Sequence, residues 1–216
     1  MRLFKCQSCG QVLFFENRMC GRCGHRLGFL PRQGELSALE PGDTEWRPLA
    51  AEGTTWRFCA NAEQEVCNWM IPTSSPERFC VACRHNRMVP DLSLEANLAA
   101  WSKMELAKHR LFYTLLRLRL PTPNRVDDPQ SGLVFDFLND PVGAQGPKVM
   151  SGHDEGLITL AVAEADDAER ESRRARMGEP YRTLLGHFRH EVGHFYWDML
   201  VRDGHQQDLM HPLIPL

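Results

Sequence analysis

Two histidines and a glutamate stand together near the C-terminal end of the chain, in the order His190, Glu191, Val192, Gly193, His194. On a helix, histidines four residues apart share a face and can both reach one zinc ion. A glutamate next to the first histidine cannot comfortably bind the same ion. It can instead touch a water held there and act as general base for attack on a carbonyl. This pattern predicts amide or peptide hydrolysis, with His190 and His194 as ligands and Glu191 as the catalytic base. At 100° per residue, and taking His190 as zero, His194 falls at about 40°, His187 at about 60°, Asp198 at about 80° and Glu191 at about 100°. The apolar Leu184, Leu185, Phe188, Val192, Phe195 and Met199 fall on the other side. A solvated stripe normally carries Lys, Arg, Glu and Gln; this one carries three histidines and two acids. His187 and Asp198 are placed as supporting partners for a ligand histidine.

A catalytic zinc takes three protein ligands and an open fourth position. The third is not evident in the sequence. His153, in SGHDEG, is a candidate, or else a loop cap. The tail RDGHQQDLMHPLIPL offers His205, Asp208 and His211, with Pro212 and Pro215 opposing a helix there.

The chain's 8 cysteines form a second chemical set. Cys6 and Cys9 make one Cys-x-x-Cys turn, and Cys20 and Cys23 another. Gly10 and Gly24 follow them, where a left-handed residue lets backbone N–H groups point at sulfur. Two such knuckles predict a small four-thiolate zinc ribbon. Cys59, Cys67, Cys80 and Cys83, with one Cys-x-x-Cys turn among them, predict a second structural zinc; buried free thiols are the alternative.

These sites need elements to position them. The spacing predicts a zinc ribbon over residues 1–30 and a Gly-, Pro- and acid-rich linker or irregular loop over Pro31–Trp46. A second four-cysteine module follows over 47–90, then a zincin-like domain over 91–216. Within that domain a long helix follows Asp91 or Ser93 and stops at Pro121. Strands are predicted at Gly132–Leu138 and Gly156–Ala163, the latter either as a sheet edge able to pair with an extended substrate or as an ordinary core strand. The charged segment EADDAERESRRARMGE reads as a solvated helix or turn. A last helix runs from Tyr181 to about Val201, after Glu179 and Pro180. The fold class is α+β.

A chain of 216 residues can bury a core, and 43% hydrophobic with 25% charged residues is ordinary for a globular protein. The net charge of −3 weighs against a nucleic-acid or anionic-membrane partner. No apolar run reaches signal-peptide or membrane-span length, so a cytoplasmic location is expected.

Taken in order, FKCQSCGQ, CGRCGH, CANA, CNWM, CVACRHN, LLRLRLPTP, GLVFDFL, GHDEGLITLAVAEADDAERE and EPYRTLLGHFRHEVGHFYWD span most of the chain to about Gly204. Through them the chain resembles the bacterial zinc-binding metallopeptidases with N-terminal zinc ribbons. The resemblance implies zinc peptidase chemistry on a peptide or protein substrate, with His190 and His194 as ligands and Glu191 as base. Family members continue past this helix into a further acid- and histidine-bearing helical segment. The resemblance therefore implies a truncated or frameshifted member, with two structural zincs, an incomplete catalytic site and an uncovered apolar face around Phe188 and Phe195. Two other functions stay open: a non-catalytic protein-binding relative, and, against the charge, a zinc-ribbon nucleic-acid binder.

Overall fold

The structure is a computed structural model that describes residues 2–141, 146–178 and 183–203. It has α+β composition and divides into two compact units: residues 1–84 with 108–121, and residues 85–107 with 122–216. No helix among the described residues is long and apolar enough to cross a membrane.

The first unit opens with the hairpin of β1 (Phe4–Lys5) and β2 (Val12–Leu13). Five antiparallel strands follow in sequence order: β3 (Arg26–Leu30), β4 (Glu35–Pro41), β5 (Trp46–Pro48), β6 (Trp56–Phe58) and β7 (Met70–Pro72). The segment Pro31–Trp46 is therefore not a linker. Its middle, Glu35–Pro41, is β4, whose Leu36, Ala38 and Leu39 are buried in a sheet that joins the two cysteine modules. Its Gly, Pro and acid content marks the ends of the strand: Gly34 turns the chain at φ 62°, with its N–H on Leu30 O.

Alternation along β3 sends neighbouring side chains to opposite faces. Leu30 joins Leu39, Trp56 and Met70 in one cluster. Phe29 joins Phe15, Trp69 and Tyr113, with ring centroids 4.7 to 5.9 Å away. The Asn68 amide ties the ribbon to this sheet by donating to the carbonyls of Phe15 and Asn17.

Helix α1 (Glu95–Arg117) has its first part in the second unit and its last turns in the first. Asp91 orders the approach by accepting from the Ser93 N–H and hydroxyl. At the far end Arg119 turns left-handed, and the Leu120 N–H closes onto Leu115 O ahead of Pro121.

The second unit holds a four-stranded sheet in the order β10, β11, β9, β8. These are β8 (Asn86–Met88), β9 (Val134–Leu138), β10 (Gly152–Asp154) and β11 (Leu157–Ala161). β9 is parallel to both β8 and β11, and β10 is antiparallel to β11. The expected edge strand is thus interior: β11 has neighbours on both sides, and the three-residue β10 takes the edge. Its near-continuous apolar run fits that place.

The β10–β11 hairpin turns through Glu155 (φ 42°) and Gly156 (φ 85°), a two-residue turn with both φ positive. A Cβ on Gly156 would overlap the carbonyl oxygen of Ser131. Gly156→Ala is therefore expected to cost about 2–3 kcal/mol, read as a lowered midpoint in urea.

The charged segment folds as α2 (Asp167–Met177). Asp166 caps it by accepting from Glu169 N–H, and Gly178 ends it at φ 66°. The last helix, α3 (Leu184–Trp197), starts at Thr183, whose hydroxyl accepts from Gly186 N–H. The predicted start at Glu179–Arg182 lies outside the described residues. The helix continues as a π-helical turn over Asp198–Arg202.

Phe188, Val192 and Phe195 are buried, and Phe188 packs on Phe135 and Phe137 of β9. On the apolar face expected to be uncovered, Phe188 is covered by the unit's own sheet and Phe195 is buried.

Candidate metal centres

Cys6, Cys9, Cys20 and Cys23 converge in the ribbon, and all are free thiols. Cys6 Sγ lies 3.6 Å from Cys23 Sγ, and Cys9 Sγ 3.6 Å from Cys20 Sγ. Four sulfurs at tetrahedral corners, about 2.3 Å from a zinc ion, stand about 3.8 Å apart. The spacing fits zinc and is too long for a disulfide. Gly10 and Gly24 sit at φ 73° and 75°, and their N–H groups close each turn onto Cys6 O and Cys20 O. Backbone hydrogen bonding at His25, helped by the neighbouring thiols, pulls Cys23 down to about 6. The set thus favours a thiolate, the form that binds metal.

Cys59, Cys67, Cys80 and Cys83 form the second group, and all four are buried. Cys67 Sγ and Cys80 Sγ are 3.8 Å apart, again the tetrahedral spacing. Backbone N–H groups point at the sulfurs, Cys80 N–H at Cys59 and Cys83 N–H at Cys80. Hydrogen bonds from Cys67, Cys80 and Cys83 hold the Cys59 thiol far below its usual range, while burial pushes Cys67 well above. One thiolate is therefore prepared inside a thiol cluster.

His109 carries no signal in the residue order, although its Nε2 lies 3.3 Å from Cys67 Sγ and 3.5 Å from Cys83 Sγ. It arrives on α1, outside any ligand spacing, with its ring against Trp69.

On α3 the polar stripe divides. His190 and His194 are exposed, and their Nε2 atoms lie 3.2 Å apart. Two nitrogens about 2.05 Å from one tetrahedral zinc would be separated by about 3.3 Å. His187 and Glu191 turn inward and are buried. His187 does not support a ligand histidine, because both its nitrogens are taken by carboxylates. Nδ1 is 2.6 Å from Glu164 Oε2, and Nε2 is 3.0 Å from Glu191 Oε1. Burial pushes Glu191 upward, but the hydrogen bond from His187 and the nearby His190 and His194 outweigh it and leave the carboxyl below its ordinary value. Glu164 was not singled out beforehand, though it is the one charged residue within the apolar run Leu157–Ala165.

His153 is a loop cap: its Nε2 accepts from Gly156 N–H at 2.9 Å. Its ring lies parallel to that of His194, with centroids 6.1 Å apart. Its Nδ1 faces Asp198 at 3.8 Å, and Asp198 also pairs with Arg202 at 3.2 Å. Burial lowers the His153 pKa. Asp198 thus faces His153 rather than either exposed histidine. His205, Asp208 and His211 lie outside the described residues.

A family model described as "Putative zinc-binding metallo-peptidase" matches residues 97–213, and a zinc-ribbon domain model matches residues 3–94. Uncharacterized proteins of Mycobacterium bovis and Mycobacterium tuberculosis are 41% identical over 201 residues, covering 93% of this chain. The chain spans 54% of their length, about half. No solved structure matches significantly. The first model covers more than half of the chain and the second covers the ribbon, so this chain belongs to the zinc-binding metallopeptidase family and carries a zinc-ribbon domain ahead of its peptidase region.

Proposed function

We propose that the protein is a zinc-dependent peptidase, hydrolysing peptide bonds of peptide or protein substrates at α3, with two further zincs holding its cysteine clusters. The observation that carries this reading is the 3.2 Å convergence of the His190 and His194 Nε2 atoms, with the Glu191 carboxylate one residue away. Zinc, when bound, supplies a Lewis acid for the substrate carbonyl and lowers the pKa of a coordinated water to about 7.

The chain's own residues do the rest. His190 and His194 present their Nε2 atoms from an exposed helix face, open to an extended substrate. Glu191 accepts the proton as water adds to the carbonyl carbon, and returns it to the leaving amine. His187 fixes Glu191 Oε1, and Glu164 fixes His187, so one oxygen is anchored and the other is left for the proton. With its pKa below the ordinary carboxyl value, Glu191 is ionised at neutral pH, the state a general base needs.

The cysteine sets Cys6, Cys9, Cys20, Cys23 and Cys59, Cys67, Cys80, Cys83 use every position of a tetrahedral ion, which makes both sites structural. A second reading, a protein-binding relative without hydrolysis, is favoured by one observation. Among the described residues only two donors, His190 and His194, meet at the α3 site. Casein hydrolysis that is lost with a chelator, restored by zinc and absent in Glu191→Gln supports the peptidase reading. Hydrolysis that is equal in Glu191→Gln rejects it.

A further inference from the structure

We propose that the ribbon-bearing unit carries a docking groove for an extended acidic peptide with a bulky apolar side chain. The proposal does not rest on the peptidase reading. All residues of the groove belong to the first unit.

A cavity of about 460 Å³ opens beside β6 and β7, with Trp56, Met70 and Ile71 at its floor. These are core side chains, 1 to 4% exposed, that turn an edge to the cavity. A wide apolar floor of this kind takes one large aliphatic or aromatic side chain. Its wall is the loop after β7, and that loop is braced. The Arg57 guanidinium donates to the carbonyls of Pro72, Thr73, Ser75 and Glu77, at 2.6 to 3.3 Å. Four carbonyls on one guanidinium make a fixed wall.

Pro31, Arg32 and Leu116 line both this cavity and a second one of about 270 Å³, a shared rim that an extended peptide can follow from one to the other.

The charge is one-sided. Arg32 and Arg84 line the first cavity and Arg2, Arg32 and Arg117 the second, against the single acid Glu77. This is notable in a chain of net charge −3. Arg2 is engaged with Glu35, and Arg117 reaches the Tyr113 hydroxyl at 3.3 Å. Arg32 is exposed at the junction of the two cavities, with its fork available to a carboxylate. Guanidinium groups pair with carboxylates in bidentate geometry, and such complementarity sets partner choice. An apolar floor beneath an arginine rim therefore selects carboxylates flanking a large apolar side chain.

The test is fluorescence anisotropy with a labelled EELFEE peptide, using the full zinc-loaded chain. A Glu191→Gln background removes cleavage from the reading. EELFEE should bind more tightly than KKLFKK or EEGGEE, and should weaken as salt rises from about 50 to about 300 mM. Arg32→Glu should weaken EELFEE roughly tenfold, the scale of one lost charge-assisted contact, and should improve KKLFKK. Leu116→Gln, at the lip, should weaken EELFEE and KKLFKK alike. Unchanged circular dichroism of both variants excludes misfolding. No EELFEE binding, equal binding of KKLFKK, or an Arg32→Glu affinity equal to the parent overturns the proposal. So does preference for a labelled single-stranded RNA over every peptide.

Discussion

Cys59→Ala is expected to cost the first unit its second zinc and roughly 4 kcal/mol of stability, a drop of about 10 °C or more in melting temperature. The cluster it belongs to is buried, and the other three thiols stay crowded together after the change. Cys59 has its pKa lowered by hydrogen bonds from Cys67, Cys80 and Cys83. It also accepts the Cys80 N–H, so the change strips a backbone donor of its partner. Cys59 lies just after β6, and Cys67 lies just before β7. A zinc held there would tie the end of the sheet to the Cys80–Cys83 turn. Scanning calorimetry with metal analysis reads the outcome. A variant that melts with the parent and holds the same zinc would show that the buried thiols pack as small apolar groups instead.

Glu191→Gln is expected to lower kcat by about 10²- to 10⁴-fold, the usual worth of a positioned general base, while zinc content stays at the parent level. The amide keeps the shape and can still bond to His187, but it cannot take a proton. His187→Ala should act more weakly, lowering kcat roughly 10- to 100-fold, the range for partners that orient a working group. The carboxylate remains in that variant and loses its anchor to Glu164. The order of the two effects separates base from support. An equal loss in both, with zinc also lost, would mean that the Glu164–His187–Glu191 chain holds the helix together and does no chemistry.

Much of this could be read from residue order, because the signals are local. Cysteine pairs at fixed spacing with glycines behind them marked the ribbon turns, and four-residue spacing brought His190 and His194 together. Helix α2 followed from its charge run, and β9 from its apolar run. What was not legible depended on partners far apart in the chain. β4 looked like a linker because its polar ends outweigh the buried Leu36, Ala38 and Leu39 in a short segment. The edge position expected for β11 went to β10, since a three-residue strand has no detectable period. The polar stripe on α3 was visible as one face. Its division into an outward histidine pair and an inward His187–Glu191 pair required Glu164, 23 residues upstream of His187. His109 reached the second cysteine cluster by the same kind of long-range placement.

Zinc analysis decides whether α3 holds a metal. The purified chain and a His190→Ala/His194→Ala variant would be compared after identical loading. The parent is expected to hold about one zinc per chain more than the variant, with both cysteine sites filled in each. Equal zinc in the two proteins would contradict it, and would leave the chain a zinc-ribbon member of a peptidase family whose α3 site binds no metal.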